Sequence, residues 1–137
     1  MKTLLTLGAL IVALIAAICL LIVIASESGE VVVITTRDTA EGAQQTRLWV
    51  VDHDGDAWLR AGSPASGWFR RITANPNITV QRGENSFSAL AEPATDATET
   101  INALMDEKYG WADDCIDLFF GRDDAIAIRL VANPDSG

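Results

Sequence analysis

The chain has 137 residues, which is enough for one globular domain rather than two. Its formal net charge of −9 argues against nucleic acid as a partner, because a phosphate backbone is bound by an excess of basic side chains. Cys19 lies in an apolar segment and Cys115 in the polar remainder of the chain, so the sequence predicts neither a disulfide nor a cysteine-based metal site.

The N-terminal segment differs in kind from the rest of the chain. Residues 4–25 run for 22 residues without a charge, and about 20 apolar helical residues cross a hydrocarbon core of ~30 Å. We therefore expect an uncleaved transmembrane anchor at residues 1–25, embedded in the lipid bilayer through residues 4–25, followed by a soluble domain at residues 26–137. The alternative is a cleaved signal peptide, which would leave a secreted or periplasmic protein.

Charges beside the apolar segment predict its orientation. Lys2 and the amino terminus precede it, Glu27 and Glu30 follow it, and the first basic residue on that side is Arg37. Basic residues are normally in excess on the cytoplasmic side of a span. The N-terminus is therefore expected in the cytoplasm and the soluble domain outside it.

A row of small residues inside the segment would favour a homodimer. Ala9, Ala13 and Ala17 recur every four residues, which would let two helices approach closely. Alanine is also common in apolar segments for other reasons, so dimerisation stays open.

The soluble part alternates short strand-type runs with turns. Its β-branched and apolar runs predict six strands, at residues 30–36, 46–51, 56–60, 77–82, 86–91 and 125–131. Residues 37–45 are expected to form a polar loop. The Asp54-Gly55 pair between the second and third runs is the strongest hairpin indication in the chain.

Three helical stretches accompany these strands. A short helix is predicted at residues 68–74, and Asn75-Pro76 ends it because a residue before proline disfavours the helical region. A second helix starts at a capping box of Asp96 and Glu99 and ends at a glycine, and a third covers residues 111–120. Six strands joined mostly by tight turns predict a mainly β antiparallel barrel with short helices.

One acidic turn could be mistaken for a functional site. Asp52, Asp54 and Asp56 surround Gly55 as in a calcium loop, but the glycine stands at the wrong position and no bidentate glutamate follows. A hairpin turn explains these residues. His53, the chain's only histidine, has no nucleophile placed with it by a motif, so no catalytic triad is predicted.

A second acidic cluster lies in the last predicted helix. Asp113, Asp114 and Asp117 could resemble a metal site, but carboxylates at this spacing are more often a solvated helix face. We expect these three side chains to be exposed.

Basic residues concentrate in the middle of the chain. Residues 46–82 hold five arginines against three aspartates. Trp68 begins a helix after a Gly/Ser/Pro loop, and Arg60, Arg70 and Arg71 flank that loop. Loop amides, a helix N-terminus and guanidinium groups together suit a phosphate group. Two alternatives are that these arginines pair with acidic groups of the C-terminal third, and that the tryptophans are core residues.

Several stretches of this segment resemble one family. Residues 33–37 (VITTR), 46–56 and 59–62 (LRAG) are similar to the split β-barrel flavin- and deazaflavin-binding proteins. Residues 68–80 (WFRRITANPNITV) resemble their hallmark segment, and residues 108–110 (KYG) resemble a small branch related to the deazaflavin-dependent nitroreductases. The resemblance implies a six-stranded antiparallel split β-barrel, preceded here by the transmembrane helix.

The resemblance also implies a cofactor, either FMN or the deazaflavin F420, in a groove beside the barrel and often at a dimer interface. Its cofactor-binding residues would be Arg60, Gly62, Ser63, Trp68 and Arg71, with Arg47 and Trp49 next. The expected function is a membrane-anchored flavin- or deazaflavin-dependent reductase. It needs no catalytic side chain, because the cofactor carries the hydride.

Two departures from the family pattern leave a second function open. Arg71 stands where the hallmark has asparagine, and Gln44-Gln45 replaces a Ser-Gly-basic element common in the deazaflavin reductases. The alternative is a barrel without a cofactor that acts as an extracytoplasmic binding or interaction module.

Overall fold

A computed structural model describes residues 1–26, 29–38, 42–121 and 123–133. Its first element, α1 (Lys2–Ser26), is the one helix of the described residues that is long and apolar enough to cross a membrane. Its 25 residues extend about 37 Å at 1.5 Å per residue, which exceeds the ~30 Å hydrocarbon core. Glu27, which contributes to the predicted orientation, lies outside the described residues.

The rest of the described chain forms one antiparallel sheet with three further helices. The strands are β1 (Val31–Asp38), β2 (Gly42–Trp49), β3 (Val51–His53), β4 (Asp56–Ala61), β5 (Asn77–Arg82), β6 (Asn85–Pro93) and β7 (Ile126–Ala132). The helices are α2 (Gly67–Ala74), α3 (Thr98–Tyr109) and α4 (Trp111–Phe120). The mainly β fold with short helices is therefore confirmed, and the helix predicted at 111–120 has the bounds of α4.

The sheet has seven strands in the order β2-β1-β5-β6-β7-β4-β3, and every neighbouring pair is antiparallel. The strands β2 and β3 lie at opposite edges of this order, yet only Val50 separates them in the chain. One stretch of chain therefore runs from one edge of the sheet to the other. This connection requires the sheet to curl into an open barrel.

The predicted count of six strands is wrong, because the strand expected at 46–51 is interrupted at Val50. The Val50 N–H donates to the Tyr109 hydroxyl at 3.0 Å, and Lys108 Nζ donates to the Val50 carbonyl at 2.7 Å. Side chains of α3 thus satisfy both backbone groups that a neighbouring strand would otherwise pair. The loop predicted at 37–45 is also too long, because β1 and β2 extend into it.

The hairpin between β3 and β4 forms where it was predicted. Asp54 and Gly55 both have positive φ, at 52° and 83°, as the favoured two-residue hairpin turn requires. His53 pairs with Asp56 across that turn. The predicted capping box is wrong, because α3 begins at Thr98 and its N-cap makes no side-chain hydrogen bond. Thr98 Oγ1 instead accepts the Ala127 N–H at 3.1 Å, which joins the start of α3 to β7.

Two apolar clusters stabilise the barrel. The first fills its interior with side chains of the sheet and of α2, including Ile34, Leu59, Trp68 and Ile72. The second lies where α3 packs on the outer side of β3, β4 and β7. The strand β4 supplies Leu59 to the first cluster and Trp58 to the second, so it is buried on both faces. The end of β4 is thereby fixed from two sides.

Candidate functional site

A groove runs between the barrel and α4, and we call it the α4 groove. It consists of two adjoining cavities of about 170 and 350 Å³, both lined by Arg60 and Ile116. Five of the seven residues predicted to bind a cofactor line it: Arg47, Trp49, Arg60, Gly62 and Ser63.

The two cavities differ in character. The smaller is largely apolar, because Leu48, Trp49, Met105 and Ile116 form most of its wall beside the two arginines. The larger is polar at the loop that follows β4, where Gly62 and two serines contribute to the wall. A flat ring fits the chemistry of the first cavity. The second, which the Asp117 carboxylate also lines, combines donors and an acceptor that suit the hydroxyl groups of a sugar.

The orientation of Trp49 is set by a residue that sequence reasoning did not include in the site. The Trp49 ring stacks on the Tyr109 ring with centroids 4.3 Å apart and planes 7° from parallel. The Tyr109 hydroxyl also donates to the Glu30 carbonyl at 2.6 Å. Burial raises the pKa of Tyr109, so the hydroxyl keeps its proton at neutral pH. The sequence predicts Tyr109 on the apolar face of a helix but not its place in the site, because that place depends on contacts distant in sequence.

Arg60 enters the groove already paired with an acidic residue. Its guanidinium forms an ion pair with Asp113, and it donates to Asn102 Oδ1 at 3.2 Å. The Arg60 side chain is 10% exposed and that of Asp113 is fully buried. The expectation that Asp113 lies on a solvated helix face is therefore wrong. Burial of a carboxylate is tolerated here because a cation and its hydrogen bonds accompany it.

Trp68 and Arg71 lie away from the α4 groove. Trp68 is 8% exposed and packs in the barrel interior. Arg71 donates from Nε to Thr36 Oγ1 at 2.7 Å, and with Arg37 and Arg70 it lines a separate cavity of about 530 Å³. The structure therefore divides the predicted arginines between two surfaces, which sequence spacing could not distinguish.

A charged network surrounds Glu30 and reaches the Tyr109 ring, whose centroid lies 5.4 Å from Lys108 Nζ. Arg82 bridges Glu30, at 2.8 Å from Nε, and Asp52, at 2.7 Å from Nη1, while Lys108 Nζ lies 2.7 Å from Glu30. The hydrogen bond from Arg82, followed by that from Lys108, lowers the pKa of Glu30 to about 2. Arg82 also lowers the pKa of Asp52. The chain just beyond the predicted anchor is thus bonded to the barrel and to α3.

The family model for F420H(2)-dependent quinone reductases matches residues 22–109, which is more than half of the chain. The chain belongs to this family. The matched range runs from the last turns of α1 to Tyr109 and includes Arg47, Trp49, Arg60, Gly62 and Ser63. The expected relationship to the deazaflavin-binding split barrels is confirmed. No curated protein matches the chain closely.

Solved structures share the fold of this family member. The conserved hypothetical protein Rv2991 from Mycobacterium tuberculosis superposes with a TM-score of 0.61 at 20% identity, over 77% of this chain and 74% of that one. An F420-H2 dependent reductase (FDR-A) gives 0.57 at 23% identity, over 72% and 92% of the two chains. An F420 reductase gives 0.55 at 16% identity, over 80% and 90%.

Proposed function

We propose that this chain is a membrane-anchored oxidoreductase that binds a deazaflavin cofactor in the α4 groove. The observation that carries the proposal is that one groove gathers five of the seven residues which the family resemblance implicated. Membership of a family whose description names F420H(2) favours the deazaflavin F420, and no comparable match favours FMN.

The chemistry of the groove suits such a cofactor. Trp49, held parallel to Tyr109, offers a rigid flat face, and Met105 and Ile116 complete an apolar pocket for a fused ring. The backbone at Gly62 and the Ser63 hydroxyl can donate to an anionic oxygen at the polar end.

When bound, a reduced deazaflavin supplies a hydride, so the residues of the chain need only bind, orient and exclude water. Arg47 lies exposed on β2 at the apolar cavity and can attract an anionic cofactor by electrostatics. Arg60 is buried beside Asp113, whose carboxylate balances its charge. It would therefore stabilise the wall of the groove rather than attract an anionic cofactor.

Cofactor binding is tested on the full chain in lipid nanodiscs by titrating the reduced and oxidised deazaflavin and following cofactor fluorescence. We expect R47A to weaken binding by roughly tenfold, since a charge-assisted hydrogen bond contributes about 1.5–3 kcal/mol and this site is exposed. The matched control is R70A, which removes an exposed arginine from the other cavity and should change the Kd by less than about twofold. Absence of binding by the folded wild-type chain would refute the proposal.

The anchor forms the second part of the proposal and needs its own experiment. Mass spectrometry of the mature chain distinguishes an intact anchor from a cleaved signal peptide, and resistance to carbonate extraction tests insertion. A phosphatase fused after residue 137 should be active if the soluble domain lies outside the cytoplasm. An inactive phosphatase together with a bright cytoplasmic reporter at the same point would reverse the orientation.

The pairing of Arg60 with Asp113 favours one alternative, a barrel without a cofactor that serves as an extracytoplasmic interaction module. In that case crosslinking should recover a partner protein whose capture persists in R47A. Deazaflavin binding that R47A weakens by roughly tenfold and R70A leaves unchanged would decide against this alternative.

A further inference from the structure

Helix α4 exposes two large apolar side chains, and the exposed Asp114 lies between them on the same side of the helix. Trp111 is 54% exposed and Leu118 is 80% exposed, whereas Trp58 and Trp68 are only 7% and 8% exposed. Trp111 and Leu118 are seven residues apart, which places them on the same side of a helix about two turns from each other. A large indole and a leucine exposed to solvent on one side of a helix indicate an interaction surface.

The position of this face relative to α1 indicates which partner it meets. α1 lies against α4, and within α1 the half-buried residues Ile18 and Ile22 are one turn apart near its C-terminal end. If α1 spans the bilayer, those residues lie roughly 6–12 Å from the end of the span at 1.5 Å per residue. We infer that α4 contacts α1 near this end of the span, where the hydrocarbon core gives way to the interface.

The chain that follows α1 shows that the end of α1 and the start of α4 lie close together. Three peptide steps connect Ser26 to Gly29, so their Cα atoms are at most about 11 Å apart. A Cβ added at Gly29 would lie 2.8 Å from the Tyr109 ring, which shows that the backbone there is pressed against that ring. Trp111 follows Tyr109 by two residues, at the start of α4. The exposed indole is therefore close to the point where the chain leaves the membrane.

We propose that the face of α4 formed by Trp111 and Leu118 lies in the interfacial layer of the bilayer that α1 spans. Tryptophan is favoured at the level of the lipid headgroups because its ring is apolar and its N–H can meet water. The contact between α4 and α1 favours the bilayer over a second copy of the chain or a separate protein. This inference rests on the anchoring half of the proposed function and is independent of the cofactor.

The charge of α4 adds a condition on the lipid. Asp114 is exposed and Asp117 is half-buried, and α4 has no basic residue. Anionic lipid would therefore not strengthen the contact, and zwitterionic lipid should be sufficient. Since Ile116 and Asp117 also line the α4 groove, one helix would separate that groove from the membrane surface.

The test uses the full chain at one copy per nanodisc of phosphatidylcholine, part of which carries a nitroxide near the headgroup end of its acyl chain. Nitroxide should quench tryptophan emission in the wild-type chain, and W111F should remove about half of that quenching or more. W58F, a conservative change at a buried tryptophan, should retain the quenching. Equal quenching in W111F and the wild type would overturn the proposal, as would quenching that requires anionic lipid.

A second measurement does not depend on tryptophan. A nitroxide at Leu118→Cys, with Cys19 and Cys115 replaced by serine, should collide more often with oxygen than with a water-soluble nickel chelate. The reverse ratio would overturn the proposal. If the nitroxide were shielded from the nickel chelate only with two chains per disc, the face would be a contact between copies and the proposal would also fail. Deazaflavin titration in the same discs distinguishes these failures from failure of the proposed function.

Discussion

Removal of the Tyr109 hydroxyl group tests how much its hydrogen bonds stabilise the barrel. This hydroxyl accepts the N–H of Val50, a fully buried residue, and donates to the Glu30 carbonyl. The change Tyr109→Phe removes the hydroxyl and keeps the ring that stacks on Trp49. A buried backbone N–H without a partner costs about 1–3 kcal/mol. We therefore expect the free energy of unfolding to fall by about 2 kcal/mol, and the Tm by roughly 5–12 °C.

The assay is urea unfolding of the full chain in a mild detergent, followed by far-ultraviolet circular dichroism and by tryptophan fluorescence. Tyr109→Leu serves as the comparison, because it also removes the stacked ring and should cost about 1 kcal/mol more. Deazaflavin binding should survive Tyr109→Phe within about twofold and should weaken in Tyr109→Leu, since Trp49 then loses its support. A loss of stability below about 0.5 kcal/mol in Tyr109→Phe would refute this account of the break at Val50.

Three other changes test the remaining contacts. Asp113→Ala leaves the Arg60 guanidinium buried without its carboxylate, so we expect a loss of about 3–5 kcal/mol in urea unfolding, and a loss below about 1 kcal/mol would contradict a buried pair. Gly29→Ala combines a φ of +76° with a Cβ 2.8 Å from the Tyr109 ring, so about 2 kcal/mol should be lost by the same measurement. Glu30 has a pKa of about 2 in the folded chain against an ordinary value of 4.5. Its contribution to the free energy of unfolding is therefore complete above about pH 4.5 and disappears as the pH falls toward 2. The side chain is 38% exposed, so we expect only about 1 kcal/mol, and Glu30→Gln should remove that part of the acid dependence of unfolding.

Local chemistry was enough to predict some of these elements. Asp54 and Gly55 specify their turn because few residues other than asparagine, aspartate and glycine tolerate the two positive φ angles it needs. The apolar run of α1 and the bounds of α4 follow from residue type in the same way. Neighbouring residues determine these features, so distant contacts do not alter them.

Other elements depend on residues far apart in sequence, and the sequence pattern could not contain them. The strand expected at 46–51 ends early because Tyr109 and Lys108 take over the backbone hydrogen bonds of Val50. They lie 59 and 58 residues from it in the sequence. Asp113 was expected to be exposed to solvent, because residue spacing shows which side of a helix a residue lies on but not which other element packs against that side. Arg60, 53 residues away, arrives from β4 and makes burial possible. The seven predicted cofactor residues were split for the same reason, since spacing along the chain does not reveal which side of the barrel a side chain faces.

The contacts of Tyr109 connect Glu30, which follows α1, to the proposed cofactor site. Its hydroxyl binds the Glu30 carbonyl just after α1, and its ring supports Trp49 in the wall of the α4 groove. Arg82 and Lys108 bind the Glu30 side chain from two other elements, so Glu30 cannot shift without breaking several charged hydrogen bonds. These contacts hold Glu30 against both the barrel and α3. If α1 spans the bilayer as proposed, Tyr109 would link the chain that follows the span to the wall of the groove.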